Sequence, residues 1–226
     1  MAGRVLILRP EPGASATAAR ARALGLEPLV SPLFRIVPLE WDAPDAGEFD
    51  ALLLTSANAA RHSGGGLDQF TSLPCYAVGE ATAEAARGSG FEQVIAGAGD
   101  GRAAVGAMAK AGVKHALHLC GLDHIPLSHP KLSIDRRIVY AAEPSGPIRP
   151  GPGNALVLLH SPRAASRFAH MQASRGNIRI AAISAAAARA AGEGWAEVHI
   201  ASAPNDQALL ELAAKLCQTG ADETRS

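Results

Sequence analysis

Hydroxyl and glycine residues directly follow apolar runs at four places in this sequence, and an alanine-rich segment follows each of them. The four segments are Thr55-Ser56-Ala57-Asn58, Gly79-Glu80-Ala81-Thr82, Ser161-Pro162-Arg163 and Ser184-Ala185. This pattern is typical of a buried strand, a tight turn and the N-terminus of a helix. The first turn of a helix leaves backbone amides unpaired and carries a partial positive charge, so it can bind carboxylate or phosphate groups. The sequence therefore predicts four helix ends suited to an anion.

Ordinary helix capping is sufficient to explain any one of these segments taken alone. Four such segments together favour ligand binding over ordinary capping. Ligands of open parallel sheets bind beyond the carboxyl ends of the strands, where all four segments would lie. We therefore interpret the four segments together as the binding surface for an anionic ligand.

Tyr140 is a second candidate for chemistry. It is one of only two tyrosines, and it lies in an extended segment that we expect to form part of a linker. A phenol that lines a ligand site can donate a proton or a hydrogen bond. Composition alone favours the other interpretation, in which Tyr140 is a packing aromatic, since tyrosine is commonly partly buried.

Other active-site patterns are weak. His115 and His118 would point to opposite faces of a strand, so they would not converge on a metal ion, and we expect no metal site. The glycine-rich stretch at residues 97–102 lacks the third glycine of a dinucleotide-binding fingerprint. Ser56 and Ser161 lie in no Gly-x-Ser-x-Gly elbow, which argues against a nucleophilic hydrolase.

The segment at residues 52–60 occurs twice, and its second copy is the segment at residues 157–165. The same offset in sequence relates Ala77-Val78 to Ala182-Ile183, and Ala85-Ala86 to Ala190-Ala191. A spacing kept over this length indicates two structurally similar lobes. We expect the two lobes to face each other with the ligand between them.

The pattern of strands and helices predicts an α/β fold with two similar flavodoxin-like, doubly wound lobes, each built on a parallel sheet. The first lobe is discontinuous and comprises residues 1–34 and 145–226, and the second, residues 39–137, is inserted into it. Residues 35–38 and 138–144 form a two-stranded linker, and prolines confine the first of these strands to a sheet edge. We expect Ser15 or Thr17 to cap the first helix, and Asn205 or Asp206 to cap a last helix ending near Cys217.

Composition limits the classes of function. The chain has 21 basic and 21 acidic residues, a balance that argues against nucleic-acid binding by bulk charge. No apolar run approaches the roughly 18 residues typical of a membrane span, and no signal peptide is evident. The three cysteines are widely spaced, and we interpret them as free thiols of a cytoplasmic protein.

The order of these segments resembles that of the uroporphyrinogen-III synthase family. The resemblance rests on Arg9-Pro10, on the segments at residues 32–36, 50–59 and 77–83, on Gly90-Phe91 and Val139-Tyr140, and on the segments at residues 159–162 and 182–184. It covers most of the chain, and the order is more diagnostic than any single motif. The family's two lobes, joined by a two-stranded ladder, agree with the predicted organisation.

The resemblance implies a cyclising lyase of tetrapyrrole biosynthesis, including that of haem. Members of this family close hydroxymethylbilane into uroporphyrinogen III with inversion of ring D and loss of water, and they need no cofactor. Tyr140 matches the catalytic tyrosine, whose proposed role is to help the substrate hydroxyl leave. Thr55, Ser56, Thr82 and Ser161 match positions that line the cleft, and we expect Arg9 to bind substrate as well.

The physical interpretation of the helix ends suits such a substrate, because hydroxymethylbilane is a flexible chain with many carboxylates. The task is largely conformational, so few acid and base residues are required. We expect a monomer that binds this small molecule, with a possible transient contact to the preceding pathway enzyme. The alternatives are a non-catalytic two-lobed binding protein for an anionic metabolite or tetrapyrrole, and a degenerate scaffold. Tyr140 discriminates between enzyme and binder, since a binder would tolerate phenylalanine there.

Overall fold

Apolar runs such as Ala51–Leu54 and Leu156–Leu159 form strands in which every residue is buried. Such runs are typical of parallel sheets that are covered on both faces. The computed structural model describes residues 3–97, 99–148 and 153–223, with side chains up to Gln218. It contains two sheets that are built mainly from parallel strand pairs. The predicted α/β class with parallel sheets is confirmed.

The elements follow one another in a largely alternating order. The strands are β1 (Arg4–Ile7), β2 (Glu27–Val30), β3 (Phe34–Pro38), β4 (Ala51–Leu54), β5 (Cys75–Ala77), β6 (Val94–Ala96), β7 (His115–Gly121), β8 (Ser133–Pro144), β9 (Leu156–Leu159), β10 (Arg179–Ala182) and β11 (Glu197–Ile200). The helices are α1 (Gly13–Ala23), α2 (Ala57–His62), α3 (Glu80–Gly88), α4 (Gly101–Lys110), α5 (Pro162–His170), α6 (Ala185–Ala191) and α7 (Asp206–Glu223). Two 3₁₀ helices, Ala46–Glu48 and Gly64–Phe70, complete the set.

Contacts between residues divide the chain into two compact units. Unit 1 comprises Met1–Arg35 and Pro144–Ser226, and unit 2 comprises Ile36–Glu143. The sheet of unit 1 has the order β2-β1-β9-β10-β11. Val5, Ile7 and Leu158 pack in one buried cluster with Leu209 and other residues of the helices on that face, so the discontinuous segments share one core.

The second sheet has the order β6-β5-β4-β7-β8-β3. Side chains of β4 alternate between its two faces, as a strand requires. Leu52 and Leu54 pack in a cluster with Phe70, whereas Leu53 packs in a separate cluster with Met108 of α4. β3 lies at the edge of this sheet, which is where a strand containing proline is tolerated.

Serine and aspartate side chains cap four helices, and the three serine caps lie where the sequence predicts helix starts. Ser56 accepts a hydrogen bond from the Asn58 amide, Asp100 from Arg102, Ser161 from Ala164 and Ser184 from Ala187. Each side chain therefore satisfies one of the amides that the first turn leaves without a helical partner.

The predicted cap of the first helix is wrong. α1 begins at Gly13, and its N-cap residue, Pro12, makes no side-chain cap. Ser15 instead donates both its amide and its hydroxyl to the carboxylate of Glu11, and the buried Thr17 hydroxyl donates to Asp206 Oδ1 at 2.8 Å. The helix starts earlier than expected, which places both residues inside it rather than before it.

The last helix differs from the prediction in length. Asn205 supplies its cap by accepting from the Ala208 amide at 2.9 Å, and α7 continues to Glu223, beyond the predicted end near Cys217.

No helix among the described residues combines the length and the apolar character needed to span a membrane. Residues 149–152, which belong to the predicted first lobe, lie outside the described residues.

Candidate active site

A cavity of about 510 Å³ lies in unit 2, where β4, β5 and β7 end. We call it the Tyr140 cavity, and it is lined by Thr55, Ser56, Val78, Gly99, Asp100, Gly101, Arg102, Gly121, Asp123, His124, Ile125, Leu127 and Tyr140. β4 lies between β5 and β7. After β4 the chain forms β5 and β6 on one side of it, and then forms β7 on its other side. Such a switch in strand order opens a crevice at the carboxyl ends of the strands, where α/β proteins bind ligands.

A β-bulge sets the position of Tyr140. Cys120 pairs with Ile138, but the next residue, Gly121, pairs with Tyr140, so β8 carries the extra residue Val139 at this point. Bulges of this kind re-aim the side chains that follow them. Val139 is fully buried, whereas Tyr140 is partly buried and lines the cavity.

Burial raises the pKa of the Tyr140 phenol, and a hydrogen bond with Ser56 only partly opposes this effect. Its hydroxyl therefore keeps its proton at neutral pH. Ser56 serves two neighbours, since its hydroxyl also caps α2. The pair gives the cavity a neutral phenol that can donate a hydrogen bond or a proton to a substrate oxygen.

His118 is a residue of this site that the sequence interpretation did not find. It lies on β7 with no exposed surface, and its Nε2 is 3.0 Å from the Thr55 hydroxyl. Burial lowers the pKa of His118 to about 4, helped by the nearby His124 and Arg136, so its ring is neutral at neutral pH. A polar residue amid the buried run of β7 was the only signal for it.

The histidines do not form a metal centre with their neighbours. Within the part of the chain that the structure describes, no three His, Cys, Asp or Glu side chains are grouped so that they could hold a metal ion. The rings of His118 and His124 are 6.4 Å apart and nearly perpendicular. His124 Nδ1 lies 3.1 Å from the Gly121 carbonyl, an interaction that holds the segment following β7 beside the cavity.

Three of the predicted site residues, Thr55, Ser56 and Tyr140, come together in the Tyr140 cavity. The other predicted residues of unit 2, namely Ala57, Asn58, Gly79, Glu80, Ala81 and Thr82, lie at the starts of α2 and α3 outside its lining. Glu80 is bound to Arg87 at 2.7 Å, and Thr82 is buried. The start of α4 and the segment after β7 also line the cavity, and sequence analysis did not assign them to the site.

In unit 1 the corresponding switch in strand order lies between β1 and β9. Arg9 follows β1 and His160 follows β9, and both side chains reach Asp206 Oδ1, at 3.3 and 2.9 Å. Thr17 and Arg20 bind the same carboxylate. Burial raises the pKa of Asp206, but the bonds from His160, Thr17 and Arg20 outweigh it and hold the pKa well below its usual range. The partner of Arg9 in this structure is thus a carboxylate of its own chain.

Another cavity, of about 420 Å³, lies in unit 1 along α5. Arg163 and Arg167, one helical turn apart, place their guanidinium groups 4.4 and 5.5 Å from the centre of the Phe34 ring. Ser166, His170 and Met171 complete the lining of this Phe34 groove. Stacked guanidinium groups retain their positive charge, and Arg167 also donates to the Ser145 carbonyl at 2.9 Å. The charge of the two groups makes the groove suited to carboxylates. The predicted residues Ser161 and Pro162 start α5, and Ser184 and Ala185 start α6, but none of the four lines the groove.

A sequence model of a family described as uroporphyrinogen-III synthase HemD matches residues 15–211. The crystal structure of uroporphyrinogen-III synthetase from Helicobacter pylori 26695 has a TM-score of 0.68 and 20% identity, over 96% of this chain and 100% of that chain. Uroporphyrinogen III synthase from the extremely thermophilic bacterium Thermus thermophilus has a TM-score of 0.42 and 15% identity, over 97% and 100% of the two chains. A mutant form of that enzyme has a TM-score of 0.49 and 14% identity, over 96% and 100%. A comparison with curated proteins finds no match.

Proposed function

The chain belongs to the uroporphyrinogen-III synthase family, and we propose that the Tyr140 cavity is where it carries out its reaction. The chain is therefore a cyclising lyase that converts hydroxymethylbilane into uroporphyrinogen III, with inversion of ring D and loss of water. The family predicted from the order of sequence segments is confirmed. The non-catalytic binding protein considered as an alternative is not favoured.

The observation that supports Tyr140 as the catalytic residue is its place in the lining of the cavity beside Ser56, where burial raises the pKa of the phenol. Loss of the substrate hydroxyl as water requires a proton on that oxygen as its bond to carbon breaks. Tyr140 donates a hydrogen bond or proton to the leaving oxygen, and the Ser56 hydroxyl stabilises the phenolate-like oxygen that results. The electrophilic azafulvene then remains for attack by the last ring through a spiro intermediate.

Substrate carboxylates need positively charged donors, and the described residues place arginines in two cavities. Arg102 lines the Tyr140 cavity, and Arg163 and Arg167 line the Phe34 groove. Arg102 is accompanied by Asp100 and Asp123 in the same lining, so the groove is the more favourable place for a carboxylate. We propose that Arg163 binds substrate there.

The helix starts offer fewer free amides than the sequence suggested, because the serine at the start of α2 and of α6 already binds one amide. The remaining predicted contacts with substrate stay predictions. They involve Arg9, Ala57, Asn58, Gly79, Glu80, Ala81, Thr82, Ser161, Pro162, Ser184 and Ala185.

We also propose that the two units are the two lobes anticipated for this enzyme, similar in fold and joined by a two-stranded linker. The division of contacts at Arg35/Ile36 and Glu143/Pro144 supports the proposed limits of the first lobe, and it places residues 36–38 and 138–143 of the linker with unit 2. A monomeric, cytoplasmic enzyme that binds no nucleic acid, with at most transient contact to the preceding pathway enzyme, agrees with the balanced charge and the free thiols.

The test of the proposed function uses the identity of the product. Freshly prepared hydroxymethylbilane is added to the purified protein, and the uroporphyrin isomers are separated after oxidation. Spontaneous closure without inversion gives the type I isomer, so we expect the type III isomer to predominate only when the protein is present. Exclusive formation of type I would contradict the proposal.

A further inference from the structure

His118 and Thr55 form a polar pair that the mechanism above does not use. The two side chains come from neighbouring strands, with His118 on β7 and Thr55 at the end of β4. His118 has no exposed surface, so it does not reach substrate itself. Thr55 lines the Tyr140 cavity and separates the ring from it. Any effect of His118 on a bound molecule therefore passes through the Thr55 hydroxyl.

The imidazole has one hydrogen bond and one unpaired nitrogen. Nε2 is 3.0 Å from Thr55 Oγ1, whereas Nδ1 is buried without a hydrogen-bond partner. A neutral imidazole carries its proton on only one of the two nitrogens. If Nδ1 carried it, an N–H group would be buried without an acceptor, which is a rare and costly arrangement. The Nε2–H form also prevails for free imidazole side chains in water, so both considerations place the proton on Nε2.

This proton decides how the Thr55 hydroxyl is used. A hydroxyl has one hydrogen to donate and accepts through its lone pairs. With Nε2–H donating to Oγ1, the hydrogen of Thr55 is not used by His118, so it can turn toward the cavity. With the opposite tautomer, the hydrogen would be held by Nε2, and Thr55 could offer the cavity only an acceptor.

We propose that His118 is a positioning residue that commits the Thr55 hydroxyl to donate a hydrogen bond to a carboxylate of the substrate. The inference rests on the proposed function, because it needs an acidic molecule in the Tyr140 cavity. Carboxylates accept such bonds well, and a bond to a charged partner is worth more than a neutral one. Since the contact is to a substrate carboxylate and not to a reacting atom, it stabilises ground and transition states alike. Its loss therefore raises KM and leaves kcat nearly unchanged.

The tautomer is tested directly on the wild-type protein. Histidine labelled with ¹⁵N is incorporated, and the signal of His118 is assigned among the 8 histidines as the one absent from His118→Gln. We expect a proton-bearing Nε2 and a bare Nδ1 in the neutral pH range. A proton found on Nδ1 would overturn the inference without any measurement of activity.

Steady-state kinetics test the consequence. We expect Thr55→Val to raise KM for hydroxymethylbilane about tenfold, with kcat within about twofold of wild type. His118→Leu should raise KM by a smaller factor, because the Thr55 hydroxyl remains but is no longer oriented by the ring. The double variant should resemble Thr55→Val, because without the hydroxyl the ring has nothing to orient. His118→Gln retains a donor at the position of Nε2, and Thr55→Ser retains the hydroxyl. Both variants should therefore keep KM close to the wild-type value. His199→Leu, on strand β11 of unit 1, is the control and should leave KM unchanged.

Two outcomes separate this inference from the proposed function. A wild-type protein that forms the type III isomer, combined with a Thr55→Val variant of unchanged KM, would overturn the inference alone. A wild-type protein that forms only the type I isomer would overturn the proposed function, and the inference with it. If His118→Leu does not fold, the Thr55 variants and the tautomer still decide the matter.

Discussion

Gly121 lies directly against the ring of Tyr140, so that a β-carbon added at position 121 would be 2.6 Å from Tyr140 Cζ and 2.9 Å from its hydroxyl oxygen. No side chain fits at that distance. The bulge that follows Cys120 brings the two residues opposite each other. Gly121 is thus a positioning residue for the phenol, and its effect should be visible in turnover.

Gly121→Ala should lower kcat roughly 10- to 100-fold, because the added methyl group displaces the phenol from the leaving oxygen. Thermal unfolding should show that the variant still folds, and isomer analysis should show how much type III product remains. Gly106→Ala is the matched control, since nothing lies near a β-carbon there and alanine suits the helix. Normal turnover in Gly121→Ala would refute this view of the site.

Asp206→Asn should lower the free energy of unfolding at pH 7 by about 2 kcal/mol. The carboxylate receives bonds from Thr17, Arg20 and His160, and an amide cannot balance the cations beside it. Denaturant unfolding measures the loss. Glu211→Gln, at an exposed position on the same helix, should change stability by less than about 0.5 kcal/mol.

The same carboxylate predicts a dependence of stability on pH. Because the pKa of Asp206 is lower in the folded protein than its usual value of about 3.9 in unfolded chains, its contribution is complete above about pH 5. It is lost as the pH falls through the folded pKa. The stability of wild type and Asp206→Asn should therefore converge on acidification. A difference that stayed constant from pH 7 to pH 3 would contradict this assignment.

Arg163→Gln should raise KM for hydroxymethylbilane several-fold, and added salt should reduce the difference from wild type, because the lost interaction is between charges. The guanidinium of Arg163 stacks on Phe34 at the groove along α5. Arg189→Gln removes an exposed arginine of α6 and serves as the control. Equal KM values for the Arg163 variant and wild type would remove the groove from the substrate-binding surface.

The buried thiols should resist alkylation in the folded protein. Burial raises the pKa of Cys75 to about 12 and that of Cys120 to about 11, so the reactive thiolate is scarce at pH 8. Labelling with iodoacetamide followed by peptide mapping should show modification of both residues only after unfolding. Rapid labelling of Cys75 in the native protein would show that this part of the core opens readily.

Local features of the chain were predictable, and long-range contacts were not. Ser161 and Ser184 predict the starts of their helices, because each cap involves residues at most three positions away. Thr55 and His118 are 63 positions apart, and only the pairing of β4 with β7 brings them together. The bulge beside Gly121 leaves no mark in the pattern of apolar residues.

Asp206 shows that a residue's element can be predicted while the contacts of its side chain cannot. The sequence correctly placed it at the start of a helix, where aspartate is common. Its carboxylate, however, binds Thr17, which is 189 positions away, and the cap is Asn205 instead. Local preference identified the element, while the packing of α1 against α7 decided what the side chain does.

The catalytic role of Tyr140 is tested most directly by the rate at which Tyr140→Phe forms uroporphyrinogen III from fresh hydroxymethylbilane, compared with Tyr76→Phe. Tyr76 is the only other tyrosine; it is buried in the cluster that packs on α4 and does not line the Tyr140 cavity. We predict that the Tyr140 variant folds normally and loses roughly 100-fold in turnover, while the Tyr76 variant retains wild-type turnover. Wild-type turnover in Tyr140→Phe would contradict the assignment of this phenol as the catalytic group.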